Sequence, residues 1–101
     1  MNLAINRELT DNGIKFSVAG YLDSINSYKF QLRLDEALKD GKNNIIVNMS
    51  KVEYICSIGL RILLKAYRTA IETGGKLGVE QPSENVKKVL VITSSADLLV
   101  V

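Results

Sequence analysis

Apolar and polar residues alternate over residues 3–9 and again over residues 14–18, which is the period of a half-buried strand. Between these segments lies Asp11-Asn12-Gly13, whose residue types favour a tight turn. The pattern therefore predicts two strands joined as a β-hairpin, with Gly20 ending the second strand.

Apolar residues spaced three and four apart predict three helices. The first follows a cap at Asp23 or Ser24 and stops at Gly41. The second begins at or just after Ser57 and is the longest, and the third begins after an N-cap at Ser83. Their predicted inward faces are Phe30, Leu34, Ala37 and Leu38 in the first, Ile62, Leu63, Ala66, Tyr67, Ala70 and Ile71 in the second, and Val86, Val89 and Leu90 in the third.

Short apolar runs between the helices predict the remaining strands. The β-branched run Ile45-Ile46-Val47 indicates a buried strand, and residues 48–53 read as a polar connection. Residues 76–79 and 98–101 predict two more short strands. We therefore predict an α/β fold with a mixed, mostly parallel sheet of four to five strands and an N-terminal β-hairpin. About three to four helices would cover the sheet, and residues 1–101 would form a single domain.

Composition removes several classes of function. The chain has 101 residues with a net charge of +2 and no concentrated basic stripe, so we expect no nucleic-acid partner. It contains no histidine and one cysteine, Cys56, which leaves neither the commonest metal ligand nor an intrachain disulfide, and we expect no cofactor and no metal. The first nine residues lack the long apolar core of a signal peptide, and no apolar run is long enough to cross a bilayer. We therefore expect a cytoplasmic protein without direct membrane insertion.

The segment most informative about chemistry runs from Val52 to Arg61, where a strand leads through a short loop into the second helix. It places the hydroxyl of Ser57 at a helix N-terminus, where unpaired N–H groups and the helix dipole favour a phosphate. A phosphoryl group there would add nearly two negative charges. The simpler interpretation is that Ser57 only caps the helix.

Four segments resemble the STAS family of anti-sigma factor antagonists. Cys56-Ser57-Ile58-Gly59-Leu60 resembles the family signature, in which Ser57 matches the phosphorylated serine. Gly20-Tyr21-Leu22-Asp23 resembles the motif after the second strand, Ile46-Val47-Asn48-Met49 the third strand, and Gly74-Gly75-Lys76-Leu77 the turn into the fourth. The resemblance covers nearly the whole chain and implies a STAS-type domain that binds protein and is not an enzyme.

The resemblance also implies partners. Unmodified at Ser57, the chain would bind an anti-sigma factor with serine-kinase activity; phosphorylation would reverse the binding, and a serine phosphatase would restore it. The resemblance places Asp23 near this serine, and Asp23 is also a natural cap for the first helix. The expected contact surface comprises Asp23, Cys56, Ser57, Ile58, Gly59 and Arg61.

Two departures from the family pattern leave an alternative open. Cys56 stands where the family usually has Asp or Ser, and Ile58 where it has Ser or Ala. The alternative is a non-switching STAS scaffold or accessory subunit, for example of a lipid-transport or signalling complex.

A third hypothesis is a thiol enzyme that uses Cys56. The chain has no histidine to act as the base for such a thiol, which weighs against this hypothesis. Arg61 begins a basic row with Lys65 and Arg68 on one helix face, either a solvated face or a secondary docking surface.

Overall fold

The structure is a computed structural model that describes residues 2–101. Over those residues it contains one four-stranded sheet and four helices. In chain order the elements are β1 (Leu3–Thr10), β2 (Gly13–Leu22), α1 (Asn26–Lys39), β3 (Asn44–Ile55), α2 (Ser57–Glu72), β4 (Lys76–Glu80), α3 (Glu84–Ile92) and α4 (Ala96–Leu99).

The sheet has the strand order β1-β2-β3-β4. β1 and β2 form the predicted antiparallel hairpin, and β2, β3 and β4 run parallel to one another. Because α1 connects β2 to β3 and α2 connects β3 to β4, the starts of both helices follow the carboxyl ends of neighbouring strands. The mixed α/β fold predicted from the sequence is confirmed.

The hydrophobic core lies on one face of the sheet. Alternate residues of the parallel strands, such as Phe16 and Val47, are buried there against Phe30 of α1 and Leu63 of α2. The residues between them point to the opposite face, where Lys15 and Glu80 form an ion pair. A sheet that is packed on one face and polar on the other accounts for the alternation along β2.

One connection predicted from the sequence is wrong. Residues 48–53 are not a polar loop, because β3 continues through them to Ile55. Their polar appearance has a structural reason: the buried residues after Met49 are Val52 and Ile55, a spacing of three rather than two. β3 carries extra residues relative to β2 in this stretch, since the pairing shifts between Ser17 and Ala19 and again after Gly20.

The end of β2 also differs from the prediction. The strand runs two residues past Gly20, to Leu22. Gly20 lies within it at a φ of +111°, and a Cβ there would stand 2.0 Å from the carbonyl oxygen of Asn2. Glycine is therefore required at a bend inside the strand and does not mark its end.

The predicted last strand is wrong for most of its length. Residues 96–99 form the short helix α4, and only Val100 makes a single parallel bridge, to Val79. The next N–H, that of Val101, donates to the Val79 carbonyl at 3.0 Å. The chain thus touches the free edge of β4 without forming a strand along it.

The helices bury the predicted faces with one exception. Ile71, assigned to the inner face of α2, is 48% exposed. The predicted cap of α3 is confirmed, since the hydroxyl oxygen of Ser83 accepts a hydrogen bond from the Val86 N–H at 3.3 Å. Across residues 2–101, none of the helices combines the length and the apolar character needed to span a bilayer.

Candidate functional site

The candidate site lies where β2 and β3 end side by side. Leu22 pairs with Ile55, and the N–H of Cys56 donates to the Leu22 carbonyl at 3.0 Å. The segments that follow these strands therefore start as neighbours: Asp23 leads into α1, and Cys56 leads into α2. The parallel pairing brings together two segments that are more than thirty residues apart in the sequence.

Ser57 is the first residue of α2 and is exposed. The extended residue before it, Cys56, occupies the N-cap position, and its carbonyl accepts the first helical bond, from the Leu60 N–H at 3.0 Å. The interpretation of Ser57 as a cap is therefore wrong, since Cys56 holds that position without a side-chain capping bond. Within residues 2–101 the Ser57 hydroxyl has no hydrogen-bond partner, so it is available to solvent or to another protein.

Asp23 has the predicted capping role. Its Oδ1 accepts hydrogen bonds from the N–H of Ile25 at 3.2 Å and from that of Asn26 at 2.8 Å. These N–H groups lie two and three residues further on, which is the spacing of a helix N-cap. Ile25 already has helical angles, so the turn from Asp23 continues directly into α1.

Ser27 connects the two helix starts and was not singled out in the sequence. Its hydroxyl is fully buried and donates to the Asp23 carbonyl at 2.6 Å. The same oxygen lies 3.9 Å from Sγ of Cys56. It also faces Gly59, where an added Cβ would stand 3.0 Å from it. A serine at the second position of an amphipathic helix is typically a surface residue, so nothing in the local sequence pattern indicated this role.

The six residues predicted to contact a partner differ in exposure. Ser57 and Arg61 are exposed, whereas Asp23, Cys56 and Ile58 are half-buried. Ile58 packs in part against the hydrophobic core. Gly59 is a buried residue of α2, so any effect of Gly59 on a partner would be indirect, through the position of the helix start.

Arg61 lies one turn beyond Ser57 on the same side of α2, with Lys65 and Arg68 continuing the row. All three are exposed, and within residues 2–101 none of them forms an ion pair. The row is therefore a solvated basic face in the isolated chain, and its charges remain free to meet an acidic group.

Exposed apolar side chains stand around the junction. Ile25 is 77% exposed and Tyr28 is 56% exposed, both near the start of α1. On the strands, Tyr54 is 48% exposed, and its ring lies 6.4 Å from that of Tyr21 between centroids. Isolated exposed apolar residues are common, but these lie close in sequence to the ends of β2 and β3 and leave apolar area on the surface.

Comparisons with known proteins agree with this architecture. The chain is 35% identical over 60 residues to the Thermotoga neapolitana protein named "Putative anti-sigma factor antagonist TM1081 homolog". The match covers 59% of this chain and spans about half, 53%, of that relative. The crystal structure of TM1081 from Thermotoga maritima superposes with a TM-score of 0.88 at 25% identity, covering 95% of this chain and 83% of the other.

A more distant likeness shows the fold alone. The phosphorylated form of the Bacillus cell fate determinant SpoIIAA superposes with a TM-score of 0.77 at 20% identity, covering 95% of this chain and 88% of the other. The family model of the STAS domain matches residues 4–100, nearly the whole chain. With the mixed sheet, the N-terminal hairpin and the helix start after β3 in place, the chain belongs to the STAS domain family.

Proposed function

We propose that this protein is an anti-sigma factor antagonist that binds an anti-sigma factor with serine-kinase activity and is switched off by phosphorylation of Ser57. The observation that carries the proposal is the exposed, unpartnered hydroxyl of Ser57 at the first position of α2. In support, the relative from Thermotoga neapolitana bears the name "Putative anti-sigma factor antagonist TM1081 homolog", and SpoIIAA has been solved in a phosphorylated form.

The physical basis of the switch is a large change of charge at Ser57, whose unmodified hydroxyl is neutral. Ile58, next to Ser57 in the chain, is half-buried, and Ile25 and Tyr28 are exposed near the start of α1. A phosphoryl group brings about −1.5 to −2 charge and strong hydration to this surface, so a docked partner would have to desolvate it. The N-terminus of α2 favours an anion, so we expect the phosphoryl group to leave the fold intact. Its effect would fall on partner binding.

Asp23 and Arg61 have complementary parts in this proposal. Asp23 fixes the start of α1 through its two N–H contacts and adds one negative charge beside the junction. Arg61 is free to pair with an acidic group of the partner. A serine phosphatase that removes the phosphoryl group would restore binding. We propose that the module acts by binding and carries out no catalysis of its own.

The first experiment combines phosphorylation with binding. Incubation with the candidate kinase and ATP should add one phosphate, located by mass spectrometry at Ser57, and Ser57→Ala should abolish it. Ser57→Asp should weaken binding to the anti-sigma factor at least about tenfold, equivalent to about 1.4 kcal/mol. The matched control is Ser94→Asp, which adds the same charge at an exposed serine after α3 with a positive φ that aspartate tolerates. Equal affinity of Ser57→Asp and unmodified protein would refute the switch.

The same measurements separate the alternative function. Cys56 and Ile58 replace the residues usual on either side of the family serine, which favours a non-switching STAS scaffold or accessory subunit as the second candidate. Such a subunit would bind its partner equally well as the unmodified chain, Ser57→Ala and Ser57→Asp. Rapid alkylation of Cys56 in the folded protein would instead point to thiol chemistry.

A further inference from the structure

β1 leaves one edge of the sheet unpaired. It lies at the end of the strand order, and over residues 2–101 it pairs only with β2. The Tyr21 N–H donates to the Asn2 carbonyl at 3.1 Å, which makes this a hydrogen-bonded pair of the antiparallel ladder. Because such pairs alternate, the even residues of β1 bond to β2 and the odd residues direct their N–H and C=O groups outward. The outward groups belong to Leu3, Ile5, Arg7 and Leu9.

Apolar side chains accompany this edge on the helix side of the sheet. Leu9 is 64% exposed, and Leu32 of α1 is 63% exposed. Leu32 lines a shallow depression together with Leu3 and Ile5, which are only half-buried. An eight-residue edge without proline, with free backbone groups and exposed leucines beside it, is a template for another strand.

We propose that a second copy of this chain pairs with β1 antiparallel, so that the two sheets join into one across a two-fold axis. An axis perpendicular to the sheet keeps the helices of both copies on the same side. It also requires odd residues to face odd residues, which are the ones with outward backbone groups. The direction of the side chains and the direction of the free backbone groups therefore both require odd residues to pair with odd residues.

Only the register centred on Asn6 meets this condition and pairs all four odd residues of the strand. Leu3 then lies opposite the partner's Leu9, and Ile5 lies opposite the partner's Arg7, whose aliphatic stem packs on it. The four odd residues of each copy form about eight interchain backbone hydrogen bonds. On the open face of the sheet the Asn6 amides of the two copies meet at the axis.

Neighbouring registers are less favourable. Centring the axis on Arg7 sets two arginines directly opposite each other, which is destabilising. Centring it on Ile5 places Leu3 opposite the partner's Arg7 and pairs only three of the four odd residues within Leu3–Thr10. The Asn6 register covers Leu9 twice, once in each copy, which is why the occupant is a second copy rather than an unrelated strand. Ser57 follows β3, two strands in from β1, so each copy keeps its own Ser57 junction.

Cysteine cross-linking tests the register. In a Cys56→Ala background, Asn6→Cys places two thiols at the axis, where Cα atoms about 4.5 Å apart lie within the range of a disulfide. We expect Asn6→Cys to form a covalent dimer on mild oxidation. Ala4→Cys alone and Glu8→Cys alone should form no covalent dimer, since each Cα lies roughly 14 Å from its copy. A mixture of Ala4→Cys and Glu8→Cys should cross-link, because Ala4 lies opposite the partner's Glu8.

Sedimentation of the unmodified chain tests the dimer itself. The mass should rise from 11.1 kDa towards twice that value as the concentration increases into the high micromolar range. Arg7→Pro removes an outward N–H without touching the β2 ladder and should give a monomer, whereas Arg7→Ala keeps the N–H and should still dimerise.

Leu9→Lys is a second monomerising variant at an exposed position, and circular dichroism establishes that each variant is folded. A mass of 11.1 kDa at every concentration, assembly beyond the dimer, or equal cross-linking at positions 4, 6 and 8 would overturn the proposal.

Discussion

At the scale of single residues, Gly59 and Ser27 set how closely the starts of α1 and α2 approach. A Cβ at position 59 would stand 3.0 Å from the Ser27 hydroxyl and 3.2 Å from Cγ1 of Ile55. Both distances are shorter than ordinary van der Waals contact, and the Ser27 hydroxyl is held by the Asp23 carbonyl. Glycine therefore allows α2 to pack close to the capped start of α1. This contact fixes the position of the start of α2, and with it the position of Ser57.

We expect Gly59→Ala to destabilise the protein by about 1 kcal/mol in urea unfolding. Overpacking lowers the free energy of unfolding by about 1–3 kcal/mol, and the better helix propensity of alanine offsets up to about 1 kcal/mol of that loss. In a Ser27→Ala background the nearest obstructing atom is gone, so Gly59→Ala should cost less there, and the double-mutant cycle measures the difference. A stabilising Gly59→Ala would show that the helix start has room to move and that this packing argument is wrong.

The sequence predicted the helix cap at Asp23 but not the buried contact between Ser27 and Gly59. Asp23 was predicted as a cap because an N-cap bonds only residues two and three further on, which is local information. Ser27 and Gly59 were not predicted as neighbours, because their contact depends on the pairing of β2 with β3. The exposure of Ile25 and Tyr28 likewise depends on how α1 is placed, and helical spacing alone does not reveal it.

At the scale of elements, α3 completes β3. β4 pairs with β3 only as far as Asn48, which leaves the later carbonyls of β3 without a strand partner on that side. The start of α3 supplies the donors: the Ser83 N–H bonds the Met49 carbonyl at 3.1 Å, and the Ser83 hydroxyl bonds that of Val52. The Asn85 side chain bonds the Glu53 carbonyl at 2.9 Å. The helix start thus takes the place of the missing strand.

Ser83→Ala should therefore cost about 1–2 kcal/mol of unfolding free energy, measured by urea denaturation. The change removes the N-cap bond to the Val86 N–H and leaves the Val52 carbonyl without its donor. The matched control is Ser24→Ala at an exposed serine, which should stay within about 0.5 kcal/mol of the unmodified protein. Equal stabilities of the two variants would contradict this role for α3.

The same region shows why the second half of β3 was not predicted. Strands are recognised by a period of two, which β3 keeps only through Ile45, Val47 and Met49. Beyond Met49 the pairing shifts against β2 move the buried residues to a period of three. Those pairing shifts depend on both strands and on the bend at Gly20. They therefore cannot be predicted from the sequence of β3 alone. The hairpin and the long helices, whose periods are unbroken, were predicted correctly.

At the scale of the whole molecule, one polar network spans the open face of the sheet. Lys15 of β2 and Glu80 of β4 form an ion pair of 2.6 Å across β3, and Asn48 of β3 donates to the same Glu80 oxygen at 2.9 Å. The hydrogen bond from Lys15, followed by that from Asn48, lowers the pKa of Glu80 below its usual 4.5. The hydrogen bond to Glu80 raises the pKa of Lys15 above 10.5. The network therefore ties three strands together through one carboxylate.

The sign of each pKa shift fixes how this network contributes to stability. A lowered carboxyl pKa stabilises the fold above the unfolded value and is lost as the pH falls through the folded value. A raised lysine pKa stabilises the fold below the unfolded value and is lost as the pH rises through the folded value. Glu80→Gln removes both effects, so its deficit in unfolding free energy should be greatest between about pH 4.5 and 10.5 and should shrink on either side.

Thermal unfolding of Glu80→Gln and the unmodified chain across this pH range measures that deficit. The side chains of Lys15 and Glu80 are 33% and 29% exposed, so added salt should reduce the deficit without abolishing it. Glu53→Gln removes a charge of the same sign from an exposed position of β3 that forms no ion pair within residues 2–101. If both variants followed the same pH profile, the stability deficit of Glu80→Gln would result from the change in net charge and not from the loss of a link between β2 and β4.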